Sequence, residues 1–154
     1  MDRRWFGTLD RVFHNILVAL DSSPTAARAL EEARELAQAL NARLTIISVA
    51  PEVPGFAYRA GVDVEALEQE AETETERLLR EAVESMPSDL PVTSVLRHGH
   101  VGEQIVKRIA EGNHDLLVMG SRGLGRVATN VLGSVGAYVH FHSRVAMLVI
   151  HPEQ

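Results

Sequence analysis

Five short apolar runs, each closed by turn residues, punctuate the chain. His14-Asn15-Ile16-Leu17-Val18-Ala19-Leu20 ends at Asp21-Ser22-Ser23-Pro24; Arg43-Leu44-Thr45-Ile46-Ile47-Ser48-Val49 ends before Pro51. Val92–Arg97, Asp115–Met119 and Val145–Ile150 complete the set. Runs this short, apolar and bounded by breakers predict strands buried on both faces. Between them the period lengthens to that of helices. Ala26, Leu30, Ala33, Ala37 and Leu40 recur at spacings of four, three, four and three, with Arg28, Glu31, Glu32 and Glu35 opposite. That pattern predicts an amphipathic helix ending near Asn41. Ser23 before Pro24 supplies its start: a side-chain oxygen for unpaired amides, then a ring already at the helical φ.

Val64, Leu67, Ala71, Leu78 and Ala82 mark a second, long helix whose run from Glu65 to Glu76 reads as a solvated acidic face. The two prolines and two glycines between Pro51 and Gly61 predict a loop. Val101, Ile105 and Ile109 face inward on a third helix stopped by Gly112-Asn113, and a fourth helix runs from Gly133-Ser134 to about His142. Strict alternation of buried strands with helices predicts one α/β domain built on an open parallel five-stranded sheet covered on both faces. Residues 1–12, with Trp5, Phe6, Leu9 and Val12, read as an N-terminal extension; the domain spans 13–152.

Composition narrows the chemistry. The 154 residues hold no Cys, which excludes disulfides, thiolate metal sites and a Cys nucleophile. A net charge of -6 argues against duplex binding, and 5% aromatics against a stacking platform for single strands. We expect no nucleic-acid partner. No apolar stretch reaches membrane-spanning length, and the basic start lacks the apolar core of a secretory signal, so a cytoplasmic location is expected.

In an open parallel sheet, ligands sit beyond the C-terminal strand ends, where the strand order reverses. Two ends are chemically loaded: Asp21-Ser22-Ser23 after the first strand, and Gly120-Ser121-Arg122-Gly123-Leu124-Gly125-Arg126 after the fourth. Gly120, Gly123 and Gly125 allow positive φ and close backbone approach, and consecutive amides in such a loop form an anion nest. Gly133-Ser134 adds free amides at a helix N-terminus, while Arg122 and Arg126 offer forked donors to phosphate oxygens. These parts suit a polyphosphate. The plainer reading is a long turn with solvated arginines.

Other phosphate and nucleophile motifs are missing. Lys107, the single lysine, lies in a helix away from any Walker-type loop. The first turn reads Asp21-Ser22-Ser23-Pro24 rather than a dinucleotide fingerprint, and Gly133-Ser134-Val135-Gly136 falls one residue short of a nucleophile elbow. No paired carboxylates or Ser-His-Asp set stand at catalytic spacing. Of seven histidines, His98 and His100 lack a third ligand near in sequence, and His140 and His142 point about 200° apart on a helix. They read as ordinary surface or core histidines, with His98 and His100 close to a cleft mouth.

Gly120-x-x-Gly123, nine residues, then Gly133-Ser134 resembles the G-2x-G-9x-G-[S/T] ATP motif of the universal stress protein family. Ile16–Ser23, Asp115–Gly120 and the closing apolar strand resemble the same family in the same order, over roughly residues 14–151. Ala19, Gly136 and Val145-Ala146 depart from its usual residues. The resemblance implies strand order 3-2-1-4-5 with ATP between strands one and four. Asp21 would then meet the ribose, and Ala19 and Val49 would flank the adenine, with Ser22 in the turn beside them. Met119 and Gly120 would line the floor. Arg122, Gly123, Arg126, Gly133, Ser134 and Val135 would hold the phosphates, with Ser121 also in the ATP site and Mg²⁺ or Mn²⁺ carried by the phosphates rather than by a protein carboxylate cage. The resemblance further implies a homodimer through Val145–Ile150 and a regulator with at most weak hydrolysis. Two alternatives stay open: an interaction module of the same fold that binds no nucleotide, and a binder of AMP or cyclic AMP.

Overall fold

A computed structural model describes residues 12–121 and 132–153. The expected extension, apart from Val12, and the expected site residues Arg122, Gly123 and Arg126 therefore lie outside the described residues. The described chain runs β1 (Asn15–Ala19), α1 (Pro24–Leu40), β2 (Arg43–Ala50), α2 (Gly55–Arg59), α3 (Val64–Glu84), β3 (Val92–His98), α4 (Val101–Gly112), β4 (Leu116–Gly120), α5 (Ser134–His142) and β5 (Ala146–Ile150). All five strands are parallel, in the order β3-β2-β1-β4-β5. The expected α/β class and strand order are those observed.

Strand alternation divides the core into two layers. Ile16 and Val18 of β1, Leu44 and Ile46 of β2, and Leu116 and Val118 of β4 point to the layer roofed by α1 and α3. Leu17, Ile47, Leu117 and Met119 point to the opposite layer, with Ile105 and Ile109 of α4 and Val139 of α5. A period of two on a strand covered on both sides gives such a division.

Ser23 caps α1 through its Oγ, which accepts from the Ala26 amide at 3.2 Å, and Pro24 opens the helix as expected. Its buried stripe is Ala26, Ala29, Ala33 and Ala37; the larger Leu30 and Leu40 pack at its margin. Asn41 and Asn113 close α1 and α4 in left-handed conformation, at φ of 53° and 51°, which Asn tolerates better than most residues.

Two expectations need correction. The 51–61 segment is not wholly a loop: α2 makes a single turn inside it, with Pro54 at its N-terminal boundary and Gly61 at φ +70° beyond. Pro51, Pro54 and Gly61 flank the turn, and Gly55 opens it. Leu67 is not inward but 39% exposed. Twenty-one helical residues span about 31 Å, against about 23 Å for the seven residues of β3, so α3 overhangs the sheet. Its buried residues, Thr75, Leu79 and Ala82, all lie in its second half.

At the N-terminal edge of the sheet the Asp115 carboxylate accepts from the His14 amide at 2.8 Å and the Asn15 amide at 3.0 Å. Asn15 in turn donates its side-chain amide to the Gly112 carbonyl at 2.6 Å. This clasp fixes β1 against the turn that feeds β4. No helix among the described residues is long and apolar enough to cross a membrane.

Candidate functional site

The chain leaves β1 into α1 on one face of the sheet, while β4 leads to α5 on the other. Neighbouring strands whose continuations part in this way leave a crevice at their C-terminal ends. A cleft of about 460 Å³, measured out to its open mouth, occupies that position. Its floor comes from strand ends: Ala19, Ile47, Val49, Met119 and Gly120. Val101 and Ile105 of α4 and Val135 of α5 form one wall, and Leu20, Asp21 and Ala26 the other rim. An apolar cleft with one carboxylate at its edge suits a flat, largely apolar group carrying polar substituents at one end.

The turn bearing Asp21 is held from three sides. One carboxylate oxygen of Asp21 accepts from the Ser23 amide at 2.8 Å, so the residue braces its own turn as Asp commonly does. Leu20 donates its amide to the Ile47 carbonyl at 2.9 Å. Buried Ser48 donates its hydroxyl to the Leu20 carbonyl at 2.7 Å. The backbone entering the turn is thereby pinned to β2.

Gly120 needs correction as to cause. Positive φ and close backbone approach to a ligand are expected of it, yet among the described glycines only Gly61 and Gly99 adopt positive φ. Gly120 is required by crowding: a Cβ there would sit 2.5 Å from Thr25 Oγ1, 2.8 Å from the Thr25 carbonyl carbon and 2.9 Å from the Ala26 amide nitrogen. The end of β4 thus lies directly under the first turn of α1.

On the far side of the cleft, Gly133 occupies the N-cap of α5, and among the described residues no side chain caps the helix. The Ser121 amide donates to the Ile150 carbonyl at 2.8 Å, and a Cβ on Gly133 would lie 3.3 Å from the Ser121 carbonyl oxygen. These contacts bring the start of α5 against the end of β4. Uncapped amides at a helix N-terminus favour negative charge.

Of the expected site residues, Ala19, Asp21, Val49, Met119, Gly120 and Val135 line the cleft together. Ser22, Ser121, Gly133 and Ser134 adjoin these in the chain but do not line it. Sequence reasoning missed Ile47, Leu20, Ala26, Val101 and Ile105 as lining residues. The signal was present for the α4 pair, whose inward face was legible, but periodicity does not say how far a helix passes the strand ends.

His98, His100, His114 and His142 have structural partners. His100 caps α4, its Nδ1 accepting from the Glu103 amide at 3.2 Å. Its ring lies 5.0 Å from that of Tyr138, which stacks on His142 at 4.0 Å. His98 faces Glu72 at 3.7 Å. His114 is buried beneath β4, where loss of water pushes its pKa below the ordinary 6.5; Arg108 adds to that, while the Asn15 carbonyl and Asp115 oppose it. Among the described residues no three His, Cys, Asp or Glu side chains gather as a metal site.

Comparison with known proteins places this geometry. The model of the universal stress protein family matches residues 13–151. A universal stress protein of Thermus aquaticus, encoded in the 3' region of a QAH/OAS sulfhydrylase gene, is 35% identical over 124 residues, covering 80% of this chain and 88% of its own. A solved structure from the universal stress protein family of Burkholderia pseudomallei superposes with a TM-score of 0.73 at 29% identity, covering 91% of this chain and 97% of its own. A universal stress protein solved in complex with cAMP gives 0.68 at 25% identity, over 92% of this chain and 99% of its own. Sequence match and sheet order agree over nearly the whole length, and the chain belongs to the universal stress protein family.

Proposed function

We propose that the protein is a nucleotide-binding regulator that holds ATP in the cleft between the C-terminal ends of β1 and β4. The observation that carries this reading is the pairing of an apolar cleft with a carboxylate on one rim and an uncapped helix N-terminus on the other. In this reading the adenine lies among Ala19, Val49, Val101 and Ile105, over Met119 and Gly120. Asp21 accepts from the ribose through the oxygen its own turn does not use, with Ser22 beside it. The α5 N-terminus, through Gly133, Ser134 and Val135, meets the phosphates with Ser121, Arg122, Gly123 and Arg126. Mg²⁺ or Mn²⁺ travels with the phosphates.

No general base is assigned, so hydrolysis is weak at most and the bound state is the output. The β5 edge, Val145–Ile150, pairs with a second copy, and the protein works in the cytoplasm. The cAMP complex of a relative favours a second reading, in which the same cleft takes a shorter adenine nucleotide such as cyclic AMP or AMP. Denaturing the protein purified without added nucleotide and chromatographing what it releases separates the two. Release of ATP or ADP near one per chain supports the first reading, and cyclic AMP or AMP the second. Protein that releases no nucleotide, and binds none when offered, is the interaction module of the same fold.

A further inference from the structure

A second surface carries chemistry that the cleft does not use. α2 and the overhanging start of α3 expose Phe56 at 73%, Tyr58 at 60%, Val62 at 45% and Leu67 at 39%. These four lie within twelve positions, and the Tyr58 hydroxyl donates to Glu68 at 3.1 Å, which holds α2 against the start of α3. Around this patch carboxylates outnumber cations, with Glu74 paired to Arg77 and Glu72 facing His98. From Val64 to Glu76, α3 carries Glu65, Glu68, Glu70, Glu72, Glu74 and Glu76 and no cation; Arg59 of α2 sets one positive charge beside them. A shallow groove follows α3 past Leu67, Glu70 and Glu74.

We propose that this surface receives the chain's own residues 1–11, which lie outside the described residues. Their chemistry is the complement of the patch. Trp5, Phe6 and Leu9 supply apolar anchors, and Arg3, Arg4 and Arg11 outnumber Asp2 and Asp10. Trp and Phe each bury about 150–250 Å² when seated, and arginines next to them meet carboxylates through forked donors. Reach permits it. Phe13, two residues beyond the segment, packs against the core layer that takes Leu79 and Ala82 of α3. From Leu79 back to Leu67 the helix rises about 18 Å, whereas eleven extended residues reach about 36–40 Å. The acidic face of α3 is thus a docking strip for the N-terminal segment, running from the core toward α2.

Trp5 is the only tryptophan, so its emission in the full chain reads the docking directly. The expected result is blue-shifted emission shielded from acrylamide, unchanged on dilution and weakened by 1 M salt, where screening shortens to about 3 Å. Leu67→Glu, and separately Glu65→Lys with Glu70→Lys, should shift it red and raise quenching several-fold while far-ultraviolet circular dichroism stays that of the parent. These positions are exposed, so the fold survives the change. Emission of a free tryptophan in the parent overturns the proposal, as does a shielded Trp5 indifferent to the α3 substitutions. Shielding lost on dilution assigns the strip to a second copy's segment instead.

Discussion

Asp21 has two roles that one substitution separates. Its carboxylate braces the turn through the Ser23 amide, and in the proposed complex it also accepts from the ribose. Asn keeps a carbonyl oxygen for the turn and loses the charge. Asp21→Asn should therefore leave the urea midpoint nearly unchanged. ATP affinity should fall by about 1.5–3 kcal/mol, the scale of a hydrogen bond to a charged group, as read by titration calorimetry. Gly120 behaves oppositely. Its absent Cβ is space occupied by Thr25 and the Ala26 amide, and backbone cannot rotate away. Gly120→Val should destabilise by about 1–3 kcal/mol through overpacking, measured by urea unfolding with no nucleotide present. The motif identified this glycine without revealing why it is there; only the approach of α1 supplies the reason.

His114 sets a pH dependence at the same scale. Above its ordinary pKa of 6.5 the ring is neutral in both states and nothing is lost. As pH falls below 6.5 the unfolded chain takes up a proton that the buried ring resists, so native stability declines until the lowered native pKa is reached. Urea midpoints should drop as pH falls through 6.5 and below it, and the drop should be smaller in His114→Gln. An equal drop in both proteins would remove His114 as its source.

At the scale of elements, the strands were the most legible feature. Burial on both faces leaves an apolar run in β1, β2 and β4, whereas the edge strands β3 and β5 are only partly buried, against the expectation. The capped start of α1 was equally plain from Ser23-Pro24, and Asn41 and Asn113 marked the ends of α1 and α4. What periodicity could not give was the relation of helix to sheet. Leu67 fits the apolar face of α3 by spacing and is exposed because the helix outruns the strand it covers. Gly102 hides a similar relation: a Cβ there would meet Tyr138 Cδ1 at 2.7 Å and Cβ at 3.0 Å, so α4 and α5 touch through it. Gly102→Ala gains up to about 1 kcal/mol of helix propensity, and the forced separation costs about 1–3 kcal/mol. The net result should be destabilisation, with the Tyr138–His142 stack disturbed; aromatic proton shifts of Tyr138 would report it.

For the whole molecule, alternation of strands and helices implied a parallel sheet but not its order. The order 3-2-1-4-5 came from family resemblance, and with it the position of the cleft between β1 and β4. Six of the expected site residues converge there, drawn from the ends of β1, β2 and β4, the turn after β1 and the start of α5. The Val101 and Ile105 wall was the part that only packing reveals. A ligand held by so many elements should stabilise them together. At a hundredfold excess over its dissociation constant, ATP should add about 2.7 kcal/mol to unfolding, visible as a raised thermal midpoint.

The function proposed for this protein depends on the cleft binding an adenine nucleotide. The most direct test is calorimetric titration of nucleotide-stripped protein with ATP and Mg²⁺, alongside ADP, AMP and cyclic AMP. One site per chain is expected for ATP in the micromolar range, about -8 kcal/mol, with weaker binding by Asp21→Asn. Folded protein that takes up none of the four would contradict it.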